Sequence, residues 1–112
     1  MRDKARAVMS PDDFRHIALL MPRVEEVFRR GRSEFRVRRT MFAALGGPAK
    51  SLAVIKLTRE QQAILVSEQP LVFAPEPSRW GRRGSTIVRL TAATRSTVEG
   101  AISNSGFRPR SD

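Results

Sequence analysis

Cysteine is absent from the 112 residues, which excludes disulfides, thiolate catalysis and cysteine-ligated zinc. That absence fits a reducing compartment. Histidine occurs once, at His16, and no spacing of carboxylates supplies the further ligands a metal would need. A lone histidine beside the apolar face of a helix is more often structural or exposed than catalytic. The acids are scattered. Asp12-Asp13 and Glu25-Glu26 are adjacent pairs that point apart, and the first pair is explained by a helix start. Ser10, Ser51 and Ser85 have no evident general base and no nucleophile-elbow context. The glycines of GGPAK (46–50) lack phosphate-loop spacing and lead into a strand rather than a helix. No apolar run is long enough to span a bilayer, and MRDKARAVMS has no apolar signal core. The expectation is therefore a soluble, cytoplasmic, non-enzymatic protein with no cofactor and no membrane association.

What the sequence has in abundance is arginine. There are 18 arginines against 3 lysines, and the net charge is +10. Residues 29–39, RRGRSEFRVRR, carry Arg29, Arg30, Arg32, Arg36, Arg38 and Arg39 against Glu34. Residues 79–89 carry Arg79, Arg82, Arg83 and Arg89 with no acid. These two windows hold +9 of the +10. Clustered positive charge concentrates phosphate polyanions, and the guanidinium fork suits phosphate oxygens and guanine edges. Arginine also accumulates on ordinary solvated surfaces under codon bias, so the placement of the windows matters more than the total.

The length suits one domain with its own core. Residues 1–9 read as a flexible tail, 10–106 as a single domain, and 107–112 as a second flexible tail. Ser10 caps a helix that begins at Pro11, with Phe14, Ile17, Ala18 and Met21 on one face and Pro22 as its stop. PRVEEVFRRGRS (22–33) reads as a connection of mixed charge. Glu34–Val37 alternates as a strand. Arg38-Arg39 forms a hairpin tip without the glycine or asparagine that a primed turn prefers, and Thr40–Leu45 returns. Gly46-Gly47-Pro48 is a turn signal. Ser51–Leu57 is a third strand with Ala53, Ile55 and Leu57 on one face and Lys56 on the other.

Thr58 and Gln61 have capping-box spacing for a helix over 59–69 carrying Ala63, Ile64, Leu65 and Val66. Pro70 ends it, and Leu71–Ala74 is a short strand. Gly81 and Gly84 bracket Arg82-Arg83 as a loop or tight turn. Ser85–Leu90 is the last strand, with Thr86, Val88 and Leu90 on one face. A closing helix carries Val98, Ala101 and Ile102 behind Thr91 or Thr94, with Gly106 as its C-cap. The order α-β-β-β-α-β-β-α, joined mostly by short connections, gives an α+β class: two layers, an antiparallel sheet with helices on one face.

The candidate nucleic-acid-binding residues are Arg36, Arg38 and Arg39 on the hairpin, with Arg79, Trp80, Arg82, Arg83 and Arg89 around the last strand. Each arginine has a plainer role as a solubilising charge at a sheet edge. Trp80 either packs over the sheet and anchors its loop or stacks on a base.

The segments PDDFRHIALLMPRVEE (11–26), EFRVRRTMFAALGG (34–47), AVIKLTREQQAIL (53–65) and WGRRGSTIVRL (80–90), in this order and spacing, resemble the MmcQ/YjbR family of small bacterial proteins. The resemblance covers most of residues 10–102. It implies an α+β fold related to secretion-chaperone-like domains. It also implies a DNA-binding role through likeness to the double-wing domain of a phage transcription factor, with no catalytic or cofactor residues to carry over. Two features depart from the family. Ser85 stands where an aromatic residue often follows RRG, and the closing helix gives way to NSGFRPRSD instead of a longer amphipathic stretch with a tryptophan. Two partner classes follow: DNA, held mostly through phosphates with weak sequence specificity, or an acidic or extended segment of another protein received by the sheet as by a chaperone-like adaptor.

Overall fold

Ser10 and Asp13 close a reciprocal capping box at the first helix: the Ser10 hydroxyl accepts from the Asp13 amide at 3.0 Å, and the Asp13 carboxylate accepts from the Ser10 amide at 2.9 Å. Helix α1 accordingly runs Pro11–Leu19 in the computed structural model, which describes residues 9–46 and 51–103. It is followed by strands β1 (Glu25–Arg29), β2 (Arg32–Val37), β3 (Thr40–Gly46) and β4 (Leu52–Lys56), then helix α2 (Arg59–Glu68) and strand β5 (Phe73–Pro75). A one-turn helix α3 (Arg79–Arg82), strand β6 (Ser85–Arg89), a 3-10 turn (Leu90–Ala92) and helix α4 (Arg95–Ser103) complete the order. The α+β class expected from the sequence is the class observed. The strands form one six-stranded sheet in the order β1-β2-β3-β4-β6-β5, and every neighbouring pair is antiparallel.

Because side chains alternate along each strand, the register assigns the faces. Phe35, Ala43 and Ile55 follow one another across β2, β3 and β4, and Ala53, Val88 and Phe73 do so across β4, β6 and β5. They form one core with Phe14, Ile17 and Ala18 of α1 and Val98, Ala101 and Ile102 of α4. Phe14 meets Phe35 edge-on, ring centroids 6.2 Å apart, a favoured aromatic geometry. Met9, placed in the N-terminal tail on sequence grounds, is buried in this core, and its amide donates to the Leu90 carbonyl at 3.2 Å. Among the described residues, the opposite face carries no helix except α3 at its rim.

Two local readings are corrected. The segment read as a connection after Pro22 contains β1, which pairs with β2 from Glu25↔Arg36 to Arg29↔Arg32. Arg30-Gly31 is a two-residue turn with φ of 54° and 81°, the positive pair of a primed hairpin. Segment 79–84 is a helical turn rather than a tight turn, capped by Ser78, whose hydroxyl accepts from the Trp80 amide at 3.1 Å. In α2, Ala63 and Ile64 are exposed, Leu65 and Val66 are half-buried against the core, and the buried residue is Gln62. The capping box Thr58/Gln61 is present as read, and Thr94 caps α4 by accepting from the Thr97 amide at 3.2 Å. The turn signal at Gly47-Pro48 and the C-cap at Gly106 lie outside the described residues.

Candidate functional site

The helix-free face of the sheet has an apolar floor. Met41 of β3, Val54 of β4 and Ile87 of β6 are half-buried on it, and Ala44 lies beneath. Two contiguous concavities share Arg32 and Met41. One, of about 330 Å³, is lined by Arg32, Met41, Val54, Lys56, Glu76, Trp80 and Ser85. The other, of about 460 Å³, is lined by Arg29, Arg30, Arg32, Glu34, Arg36 and Met41. Both fall in the size range of small-molecule and cofactor clefts.

The arginine-bearing turn of α3 is fixed from three sides. Gly81 packs so closely that a β-carbon there would sit 1.8 Å from the Glu76 carbonyl oxygen. Gly84, with φ of +111°, leaves the same 1.8 Å to the Leu57 carbonyl oxygen. These two contacts require glycine at both positions. From the helical layer, the buried Gln62 side-chain amide donates to the Gly81 carbonyl (3.0 Å), the Ser85 carbonyl (3.0 Å) and the Thr86 hydroxyl (3.1 Å). Thr86 in turn donates to the Gly84 carbonyl at 2.8 Å. Sequence reasoning missed Gln62, because it closes the polar run Arg59-Glu60-Gln61-Gln62 at the start of a capped helix and carries no signal of burial.

Trp80 is 50% exposed. Its ring lines the smaller cleft, with the Lys56 ammonium 5.4 Å and the Arg83 guanidinium 5.5 Å from the ring centroid. Both distances are those of cation–π contacts. The anchoring expected of Trp80 is thus carried largely by Gly81, Gly84 and Gln62, leaving half the indole open. Ser85 donates to Glu76 Oε1 at 2.6 Å on the cleft wall.

The sequence-derived candidates fall into three places. Arg38 and Arg39 are exposed at the β2–β3 tip with φ of 54° and 70°, so this turn too is of the primed kind despite its side chains. Thr40 opens β3 beside the tip, and Lys56 ends β4 opposite Ser85 at the start of β6. The tip and the exposed Arg79, Arg82 and Arg83 therefore share one end of the sheet. Only β4 separates β3 from β6, a span of about 10 Å.

Arg36 lies mid-face. It donates to Glu34, faces Glu25 across the strands, and its Nε is buried without a hydrogen-bond partner. The Arg36 hydrogen bond holds the Glu34 carboxyl below its ordinary range against the opposing cost of burial, with the charges of Arg36, Arg32 and Arg29 adding to it. Arg89 stands at the far end of β6, where its guanidinium donates to the Pro70 carbonyl at 3.1 Å. It ties the sheet edge rather than joining the α3 cluster.

Arg29, Arg30, Arg32 and Lys56 join the face although sequence reasoning did not select them as site residues. The signal was the register: once Arg29 pairs with Arg32, both project on the side of Glu34 and Arg36. His16 is exposed on α1, 3.8 Å from the Asp12 carboxylate. Among the described residues, no group of three or more histidines or acids gathers as metal ligands would, and no helix is long and apolar enough to cross a membrane.

No family model matches the chain, and no curated protein matches it. Among solved structures, the crystal structure of the Deinococcus radiodurans protein DR2400, which carries the domain DUF419, is similar with a TM-score of 0.66. The two share 18% identity over 91% of this chain and 84% of that one. DUF419 is the YjbR/MmcQ-like family, so the chain has the fold of a domain from that family.

Proposed function

We propose that this chain is a cytoplasmic, non-enzymatic DNA-binding protein of the YjbR/MmcQ-like family that holds phosphates through the arginines at one end of its sheet. The observation that carries this reading is the convergence of two basic windows, remote in sequence, on that end. Arg38 and Arg39 present one side, Arg79, Arg82 and Arg83 the other, and Lys56 lies between them. All five arginines are exposed, and none of their side chains is in a salt bridge among the described residues. Arginines on a rigid frame bind phosphate at little ordering cost.

The test is fluorescence anisotropy of a labelled random-sequence duplex across a salt series. The logarithm of affinity falls linearly with the logarithm of salt, with a slope of about 0.9 per phosphate neutralised. R38E/R39E and R82E/R83E each weaken binding at unchanged melting temperature. Full affinity in both variants overturns the assignment, and no binding by the wild type at low salt favours the adaptor role.

A further inference from the structure

The smaller cleft is mixed in character: Arg32 and Lys56 line it, but so do an acid, two apolar side chains and an indole. Glu76 stands on its wall with Oε1 held by Ser85, and a carboxylate repels phosphate. Its floor is Met41 and Val54, and one side is the half-exposed indole of Trp80. An aromatic face, an aliphatic floor and a carboxylate acceptor suit a flat, uncharged heteroaromatic ring with amino groups on its edge. Phosphate sites lie next door. The adjoining concavity carries Arg29, Arg30, Arg32 and Arg36 with one acid, Glu34, and Glu34 is already engaged by Arg36 and Arg32. Arg32 borders both spaces. A base in the smaller cleft, with its backbone along the arginines of the larger one, places the ring on the indole and the phosphates on the denser positive charge.

Resting on the DNA-binding reading above, we propose that the Trp80 cleft takes one unpaired nucleobase, stacked on the indole in place of the Lys56 ammonium that now lies over the ring, while the backbone of the same strand follows Arg32 toward Arg29 and Arg30. A base within a duplex is already stacked and paired, and extracting it costs a few kcal/mol. The preferred partner is thus single-stranded DNA or a duplex with an unpaired segment.

Trp80 is the only tryptophan, so its emission reports on the cleft directly. The experiment titrates the full chain with an unlabelled mixed-sequence single strand and with the matching duplex, following tryptophan fluorescence and, in parallel, anisotropy of labelled strands. The expected result is quenching by the single strand alone and tighter binding of it than of the duplex. Trp80→Ala weakens single-strand binding about ten-fold, and Trp80→Phe retains most of it. Circular dichroism confirms that both variants fold. Equal binding of both DNAs with unchanged emission and no effect of Trp80→Ala overturns the cleft assignment and leaves the phosphate reading standing. Failure to bind either DNA at low salt overturns both.

Discussion

Replacing Arg38-Arg39 by Asn-Gly sets stability against binding at a single turn. Both arginines have positive φ, 54° and 70°, a region that costs an L-residue with a β-carbon about 1–2 kcal/mol. Asparagine tolerates it and glycine is free of the penalty, but glycine widens the unfolded ensemble by about 0.4–1 kcal/mol. The net gain is about 1–2 kcal/mol, which for a domain of this size raises the melting temperature by about 4–8 °C. The assay is thermal denaturation by circular dichroism at fixed ionic strength, with urea titration to show an unchanged m-value. The control is R38Q/R39Q, which removes both charges and keeps both β-carbons. It should leave the melting temperature near the wild-type value. In DNA binding the two variants should look alike, each lowering the salt slope by about 1.8. If Asn-Gly leaves the melting temperature unchanged or lower, or if the glutamine pair raises it equally, the turn stores no backbone strain and the reasoning fails.

Gln62→Leu removes three buried hydrogen bonds, to the Gly81 and Ser85 carbonyls and the Thr86 hydroxyl, while the Gly84 and Glu76 amides still serve the two carbonyls; it should cost about 1–2 kcal/mol, with faster amide hydrogen exchange across 79–86 as the local readout. Gly84→Ala meets both a positive φ and the Leu57 carbonyl oxygen; a loss of roughly 3 kcal/mol or more is expected in chemical denaturation. Arg29→Glu turns the directly opposed Arg29↔Arg32 pair into an attractive one. It should raise stability by about 0.5–1 kcal/mol while weakening DNA binding. Glu34 has a folded-state pKa below its unfolded value, so its stabilisation is present above the ordinary glutamate range and is lost as pH falls through the folded value. Glu34→Gln should therefore be less stable than wild type at neutral pH, and the gap should close on acidification below about pH 4; a gap independent of pH refutes the Arg36 pairing as its cause.

The helix starts were legible because capping is local chemistry: Ser10 with Asp13 and Thr58 with Gln61 fix their ends within four residues. The central strands were legible because one face of each is buried, and burial writes alternation into the sequence. Strand β1 was not. It lies at the sheet edge, none of its residues is fully buried, and Glu25-Glu26 interrupts any alternation. Glu26 serves the helical side instead, accepting from Arg15 at 2.8 Å and from Ser33 at 2.6 Å. The basic windows were visible as charge, but the register and the α3 turn decide which arginines meet. Arg89, grouped with the others by sequence distance, is drawn to the Pro70 carbonyl at the far end of its strand. Trp80 and Glu76 share a cleft only because Gly81 lets the chain fold back onto Glu76, a contact that sequence spacing does not encode.

The frame beneath the α3 arginines has a consequence for how such a protein changes its ligand. Gly81, Gly84 and Gln62 hold the turn, whereas Arg79, Arg82 and Arg83 only ride on it, exposed and outside the core. Substitutions at those three positions alter charge, reach and shape without touching the contacts that define the turn. A chain that keeps the two glycines and the amide is free to trade one partner for another through three side chains, while the scaffold stays put.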